Sequence, residues 1–207
     1  MIHVGGIAFP TLLSFLVTAL VIEMTPGPNM TYLALVSATE GRRAGFATVG
    51  GVALGLAVIG VIAAFGVAEA IQASDILYAI LRWAGVVFLL YLAWDGWRSS
   101  AVTDAAGTEG RYFARGLITN LLNPKAGMFY IAVLPTFMTP DSPPVPQAMV
   151  LTATYVGAAT FVHVVIVMLA GTFEPVLNDP RREIVVRRVL SALLALVALW
   201  FAWSTAR

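Results

Sequence analysis

Residues 24–32 read Met-Thr-Pro-Gly-Pro-Asn-Met-Thr-Tyr, a stretch that is broken by proline and glycine and lies inside otherwise apolar sequence. A second break, Asn123-Pro124-Lys125, follows about half a chain later. Backbone groups at membrane depth need hydrogen-bond partners, so a membrane helix is interrupted only where the freed groups meet protein, water or ligand. Two such interruptions, one in each half of a chain, indicate a transport site.

The composition predicts an integral membrane protein that forms a single domain over residues 1–207. Of its residues 59% are hydrophobic and only 11% are charged, with a mean hydropathy of +0.88, whereas a soluble domain is about 25% charged. The chain has no cysteine, so neither a disulfide framework nor a thiolate metal site is available. Its two histidines are too few for a metal site built from histidine. A net charge of +1 gives no sign of a nucleic-acid partner, and no cofactor is expected.

Six apolar stretches predict an all-α fold with six transmembrane helices, since a span needs roughly 20 mostly apolar residues. The shortest stretch, 126–139, is preceded by uncharged sequence back to Gly116. Asn123-Pro124 therefore divides one longer apolar segment, as Thr25 to Asn29 divides 7–40. The six stretches are 7–24, 44–69, 76–97, 126–139, 147–173 and 185–206.

The cationic residues divide unevenly between alternate loops. Ten of the twelve lysines and arginines lie on one side, and the opposite loops carry only acidic residues or no charge. Because cytoplasmic loops are rich in lysine and arginine, this pattern predicts that both termini lie outside the cytoplasm. The ten are Arg42, Arg43, Arg98, Arg111, Arg115, Lys125, Arg181, Arg182, Arg187 and Arg188.

Three spans in each half predict two inverted repeats, about 1–105 and 106–207, because an odd number of spans reverses the second half. Gly41 and Gly45 have the small-xxx-small spacing that lets membrane helices approach closely, and Gly51 and Gly55 repeat it. We interpret these glycines as packing inside the monomer rather than as a dimer seam. A homo-oligomer is left open, and no residue supports one.

Each break pairs a capping-type residue with proline, which predicts that a helix starts there. The half-helices would cover 29–40 and 125–139 and aim their N-terminal N–H groups at the break, where an anion such as a substrate carboxylate could bind. A continuous helix over 7–40 would reach about 51 Å, more than a bilayer core of about 30 Å. This length favours a re-entrant half-helix over a broken span. The predicted substrate-binding residues are Gly27, Pro28, Asn29, Asn123, Pro124 and Lys125.

Two of these assignments have plain structural alternatives. Lys125 is the one lysine in the chain, and it could equally extend to the membrane interface without touching substrate. Gly27 and Pro28 could form a simple turn between a span and an interfacial helix. Tyr32, Phe129, Tyr130 and Tyr155 could line a side-chain pocket, but aromatic residues in membrane helices usually serve packing.

Three titratable residues are candidates for proton coupling, because acids inside membranes are often functional. Glu23 immediately precedes the first break, and Asp95 lies near the interfacial Trp97, where a solvated or salt-bridged role is the alternative. His163 lies in the fifth apolar stretch, and histidine has an unperturbed pKa of about 6.5. A structural hydrogen bond to a neighbouring helix is the alternative for His163.

Other classes of function find less support in the sequence. A membrane-embedded enzyme would need a nucleophile with a base, or a metal cage, and the chain has no His-Glu-x-x-His, no cysteine and no paired intramembrane aspartates. We therefore expect no enzymatic activity. A passive channel or a structural membrane subunit remains an alternative to a transporter.

Several motifs together carry a family resemblance. They are Thr25-Pro-Gly-Pro-Asn29, the glycines at 41 and 45, Asn120-Leu-Leu-Asn-Pro-Lys-Ala126 and Leu134-Pro135. In this order the chain resembles the lysine exporter (LysE/RhtB) family of amino-acid efflux proteins over essentially its whole length. The resemblance implies a secondary exporter in the bacterial inner membrane that moves amino acids or close derivatives out of the cytoplasm, usually by proton antiport.

The resemblance also implies that the six motif residues of the two breaks lie near substrate. Three positions depart from the family pattern. Thr136 stands where the family often has glutamine, a glycine is often found near Ala93, and Asp95 is less typical there. These positions could tune the choice of substrate.

Overall fold

The computed structural model describes residues 3–25, 27–66, 74–98, 109–172 and 180–204, and these confirm the all-helical class apart from a short N-terminal hairpin. The strands of the hairpin are β1 (His3–Val4) and β2 (Ile7–Ala8). The α-helices are α1 (Phe9–Glu23), α2 (Pro28–Thr39), α3 (Gly41–Ala64), α4 (Asp75–Arg98), α5 (Glu109–Leu121), α6 (Pro124–Met128), α7 (Pro144–Ala170) and α8 (Pro180–Ser204).

The hairpin delays the start of α1 relative to the apolar stretch 7–24. Gly5 and Gly6 have φ angles of 57° and 87°, the left-handed pair that a two-residue hairpin turn requires. Pro10 lies in the first turn of α1, where its missing N–H removes no intrahelical bond. Ile7 therefore pairs in the hairpin, and the helix begins two residues later.

Both sequence breaks are helix starts inside sharply bent pairs. α1 and α2 meet at 63°, and α5 meets the segment Lys125–Phe137 at 51°. Helices of 15 and 12 residues joined at the first angle reach about 34 Å, close to the bilayer core of about 30 Å. Within the described ranges, α3 and α7 are each long and apolar enough to cross a membrane, and each bent pair passes the same test as a unit.

The segment after the second break differs from the single half-helix predicted over 125–139. α6 continues directly into a π-helical turn, Phe129–Val133, and then into a 3₁₀ turn, Leu134–Phe137. Pro135 has no N–H to donate to the carbonyl four residues back, so an α-helix cannot run through it intact. The backbone instead widens before the proline and tightens at it.

Glycines let α3 and α5 lie directly against each other. A Cβ on Gly51 would collide with backbone atoms of Phe113 and Leu117, and a Cβ on Gly116 would collide with the backbone of Thr48. The two helices therefore touch backbone to backbone, as small residues permit in membranes. This contact confirms that the glycine face of α3 serves packing inside the monomer.

One end of the bundle is rich in arginine, and we call it the cationic end; it carries Arg42, Arg111, Arg115, Arg187 and Arg188. There Arg42, just after α2, donates to the carbonyl of Met168 near the end of α7 over 3.3 Å. At the opposite end Ser142, just before α7, donates to the carbonyl of Gly6 over 3.4 Å. α1 and α2 both pack on α7, so together they follow its whole length.

The order of helices is the same in the two halves. A helix, a break and a second helical segment are followed in each half by two long helices. α1 packs on α7 while α5 packs on α3, and the long helices pair as α3 with α7 and α4 with α8. The first helix of each half therefore packs on a long helix of the other half, and the two breaks face each other inside the bundle.

Candidate functional site at the two helix breaks

The first break places the start of α2 inside the bundle. Gly27 is the N-cap residue, with an extended backbone that any residue could adopt, and Pro28 follows at the first helical position. Gly27 offers no side-chain oxygen, so the first N–H groups of α2 lack a side-chain cap there. A Cβ on Gly27 would lie 3.5 Å from Cδ of Lys125, so the absent side chain leaves room for the lysine. Pro26 lies outside the described residues.

The second break is capped by its own asparagine. Asn123 is the N-cap residue of α6, and its Oδ1 accepts a hydrogen bond from the N–H of Lys125 over 3.0 Å. Pro124 takes the first helical position. The predicted Asn-Pro helix start is confirmed, and the side-chain oxygen of Asn123 is engaged in holding it.

Lys125 connects the second break to the first. Its Nζ donates to the carbonyl of Thr25 over 3.0 Å. That carbonyl lies just beyond the C-terminal end of α1, which carries partial negative charge and attracts a cation. The ammonium group is therefore turned into the break.

A buried carboxylate lies beside the lysine. Glu23, the last residue of α1, is only 5% exposed. The hydroxyl of Tyr155 donates to Oε1 over 2.7 Å, and Nε2 of His163 lies 3.4 Å from Oε2. A buried carboxylate needs such partners because its desolvation is otherwise costly. Two of the three proton-coupling candidates, Glu23 and His163, are thus in contact.

Asn29 pairs with an asparagine from the other half of the chain. Its Nδ2 donates to Oδ1 of Asn120 over 2.8 Å, and both side chains are buried. The other amide atoms, Oδ1 of Asn29 and Nδ2 of Asn120, have no protein partner in the part of the chain that the structure describes. Because a buried polar atom without a partner costs free energy, these atoms can bind a ligand or water.

The two breaks enclose one small cavity. It has room for about one water molecule, so an amino acid can enter only if the helices around it move apart. Its lining combines a carboxylate, an ammonium group, two side-chain amides and a helix start, which suits a ligand that carries both charges. The lining residues are Glu23, Gly27, Asn29, Met30, Asn123, Lys125, Ala126 and Tyr155.

The third proton-coupling candidate lies away from this cavity. Asp95 forms salt bridges to Arg115 at 2.7 Å and to Arg111 at 3.3 Å, at the cationic end. This matches the salt-bridged alternative considered for Asp95. Across the described ranges, no cluster of three acidic or histidine side chains could hold a metal ion.

Two contacts of the site were not predicted, although the sequence analysis named Tyr155 as a possible pocket residue and Asn120 as part of the second motif. Asn120 and Tyr155 reach Asn29 and Glu23 across the fold, and their distance along the chain hid those contacts. Phe129 stacks on Tyr155 with ring centroids 3.7 Å apart, which agrees with a packing role for the aromatic group. The position of Asn120 in the motif Asn120-Leu-Leu-Asn-Pro-Lys-Ala126 was the sequence signal that could have placed it at the site.

An ion pair between the two halves was also missed. Glu40, between α2 and α3, accepts from Nη1 of Arg187 over 2.7 Å and from the hydroxyl of Tyr112 over 2.8 Å. Glu40 directly precedes the Gly-Arg-Arg sequence at 41–43. A single acidic residue beside this basic sequence was the signal that could have predicted the ion pair.

A buried acid, a lysine and two helix starts meet inside a bundle in which α3 and α7 are long and apolar enough to cross a membrane, an arrangement typical of membrane transporters. The family model described as LysE type translocator matches residues 20–205. The chain belongs to this family, and it is therefore a transporter rather than an enzyme.

Two similar proteins are named as efflux proteins. The chain is 26% identical over 189 residues to the homoserine/homoserine lactone efflux protein of Salmonella typhi, covering 89% of this chain and 92% of the relative. It is 29% identical over 195 residues to the leucine efflux protein of Salmonella choleraesuis (strain SC-B67), covering 91% of each. No solved structure matches the chain.

Proposed function

We propose that this translocator is a secondary active exporter of amino acids or close derivatives, coupled to protons and located in the bacterial inner membrane. The observation that carries the proposal is the bond from Lys125 to the Thr25 carbonyl, which joins the two breaks beside Glu23. The similar Salmonella proteins are named for leucine, homoserine and homoserine lactone. These molecules share an amino group and a carboxyl or ester oxygen, which supports a substrate with both features.

The oxygen end of the substrate meets the positive side of the cavity. Lys125 can leave the Thr25 carbonyl for a stronger bond to a carboxylate, since bonds between two charged groups are the stronger kind. The uncapped start of α2 adds N–H groups and the positive end of its dipole. The six predicted break residues thus act together, with Asn123 and Pro124 holding Lys125 in place.

The amino end of the substrate meets Glu23. This carboxylate is the acid in the cavity lining, and an ammonium group can replace the hydrogen bond from Tyr155. Oδ1 of Asn29, which has no protein partner in the described ranges, accepts a second hydrogen bond from the same group. Glu23 and Asn29 lie on the two sides of the first break, so one amino group can bridge it.

Proton coupling follows if Glu23 binds either the substrate ammonium or a proton. His163 supports the exchange because its ring nitrogen lies 3.4 Å from the carboxylate and can pass a proton. Release of substrate outside then coincides with protonation of Glu23, and deprotonation inside restores the site. Competition for one carboxylate would make transport an antiport.

Alternating access requires six spans with the breaks at membrane depth. We interpret each bent pair as one broken span, since α1 and α2 follow the whole length of α7 between its two ends. With α3, α4, α7 and α8 this gives six spans and two inverted repeats, and the exchanged packing of α1 and α5 supports the repeat. The cationic end then faces the cytoplasm, with both termini outside.

The test is to overexpress the chain in bacteria and to measure extracellular amino acids across a panel, with Asn29→Ala and Lys125→Ala as paired variants. Efflux of at least one amino acid should rise, and both variants should reduce that efflux at least about tenfold. Unchanged efflux for the whole panel, with the protein confirmed in the membrane, would contradict the proposal. Efflux against a gradient that a protonophore abolishes would exclude a passive channel.

A further inference from the structure

A groove between α4 and α8 lies on the outer surface of the bundle, apart from the helix breaks. Its volume is about 580 Å³, and its lining is almost wholly apolar. Ala93, Ala192 and Ala195 contribute small side chains to the lining. Trp94 and Trp97 also line the groove, and both are exposed, at 60% and 45%. The volume and the apolar lining of the groove suit a hydrocarbon chain.

Two arginines lie at one end of this groove. The guanidinium carbon of Arg98 lies 5.3 Å from the ring centroid of Trp94, and that of Arg188 lies 5.4 Å from the ring centroid of Trp97. Both arginines are exposed, and neither pairs with a carboxylate within the ranges that the structure describes. Stacking on a ring leaves the five N–H donors of a guanidinium able to bind an anion.

The hydroxyl of Ser191 adds a polar group to the lining of the groove. Ser191 lines the groove one turn beyond Arg187 on α8, and it is only 1% exposed. Its Oγ has no protein partner in the described part of the chain. A buried hydroxyl of this kind is suited to the glycerol or ester oxygens that lie between a lipid headgroup and its chains.

We propose that this groove binds one anionic phospholipid, with an acyl chain along Leu90 to Trp97 and the phosphate on Arg98 and Arg188. The chemistry has two parts that a lipid combines: an apolar channel and a pair of guanidinium groups at its interfacial end. Basic pockets between membrane helices on the positively charged side are suited to anionic headgroups. Arg181 and Arg182, in the first turn of α8, add positive charge to the same end.

A second copy of the chain suits the groove less well. Two copies in one membrane place their cationic ends at the same depth, so a symmetric contact would bring Arg98 and Arg188 of both copies to one interface. Like charges at a contact oppose association. An anionic lipid instead complements this charge, and the bilayer supplies it at high local concentration.

The experiment is native mass spectrometry of the purified full chain with phosphatidylglycerol and phosphatidylcholine of equal chain length. Wild type should retain one phosphatidylglycerol in preference to phosphatidylcholine. Arg98→Gln and Arg188→Gln should each lower its occupancy about fivefold, while Arg43→Gln, which removes an exposed charge on α3 at the same end, should not. Ala195→Phe should fill the groove and remove both lipids.

Three results would contradict the proposed lipid site. The first is equal retention of the two lipids by wild type. The second is an Arg43→Gln effect as large as that of Arg98→Gln, which would mean that bulk charge rather than the groove attracts the lipid. The third is a dimer that persists after delipidation and that Ala195→Phe dissociates, because the groove would then belong to a second copy. Thermal unfolding of each variant separates lost binding from lost folding.

Discussion

Glu23 has the contacts expected of a group that exchanges a proton for a substrate. It is buried, it accepts a hydrogen bond from Tyr155, and it lies within 3.4 Å of His163. Lys125 lines the same cavity from the opposite half of the chain. If Glu23 had only a structural role, its replacement by glutamine would change the efflux little. This substitution therefore distinguishes a structural role from proton exchange.

Glu23→Gln should remove the pH dependence of efflux. The amide keeps the size of the side chain and can still meet Tyr155, but it neither releases nor takes up a proton. Efflux by wild type should rise as the outside is made more acidic, because a larger proton gradient drives the antiport. The variant should instead transport slowly and at one rate over an external pH of about 5 to 8. The measurement is initial efflux rate against external pH in proteoliposomes.

His163→Gln is the matched variant for this experiment. It should keep some pH dependence, since Glu23 remains, and should lower the rate because proton transfer to the carboxylate is slower. A Glu23→Gln profile that is parallel to wild type would refute the role of Glu23 in coupling.

At the scale of elements, the caps and glycines fix where each helix lies. Asn123 caps α6 through its Oδ1, so Asn123→Ala should cost about 1 kcal/mol and lower the melting temperature by about 2–4 °C. Asn123→Ser should retain most of the stability, because serine also caps helices. Thermal unfolding in detergent tests this, and equal melting of the alanine and serine variants would contradict a capping role.

The contact between α3 and α5 should tolerate no added methyl group. Gly51→Ala places a Cβ against the backbone of Phe113, and backbone atoms cannot rotate aside. Gly157→Ala on α7 is the control, since a Cβ there meets nothing within 4 Å. We expect reduced folded yield and a lower melting temperature for the first variant only. Matched melting of the two would show that the helices do not approach so closely.

At the scale of the whole molecule, an ion pair closes the cationic end. Glu40, after α2, and Arg187, on α8, join the two halves at 2.7 Å. If this end faces the cytoplasm, the pair must open for substrate to reach the cavity from inside. We therefore expect the pair to stabilise the conformation in which the cavity is closed to the cytoplasm, rather than to contribute to substrate binding.

Glu40→Gln should make the cavity more accessible from the cytoplasmic side. The chain has no cysteine, so Met30→Cys supplies a single reporter in the cavity lining. In inside-out vesicles its reaction with an impermeant thiol reagent should speed up roughly tenfold when the Glu40 charge is removed, as a shift of about 1.4 kcal/mol would give. Arg43→Gln should leave the rate unchanged. An unchanged rate in Glu40→Gln would remove the pair from gating.

Local features of the fold and site were predictable, and contacts over long distances were not. Pro28 and Pro124 marked helix starts because proline fits the first helical position and few others. The length argument for a re-entrant 29–40 assumed a straight helix, whereas the 63° bend shortens the pair to about 34 Å. A broken span and a re-entrant half-helix are both compatible with that geometry. Asn120 and Tyr155 act through partners 91 and 132 residues away, and no local pattern encodes such pairs.

The central claim is that the two breaks form a single binding site. It is tested most directly by the efflux rate of purified protein in proteoliposomes for wild type, Asn29→Ala, Lys125→Ala and the double variant, using an amino acid from the panel. If both residues hold one substrate, each single variant should lose at least about tenfold and the double variant little more, because contacts of one site are not additive. Single variants with full activity, or losses that multiply in the double variant, would contradict one shared site.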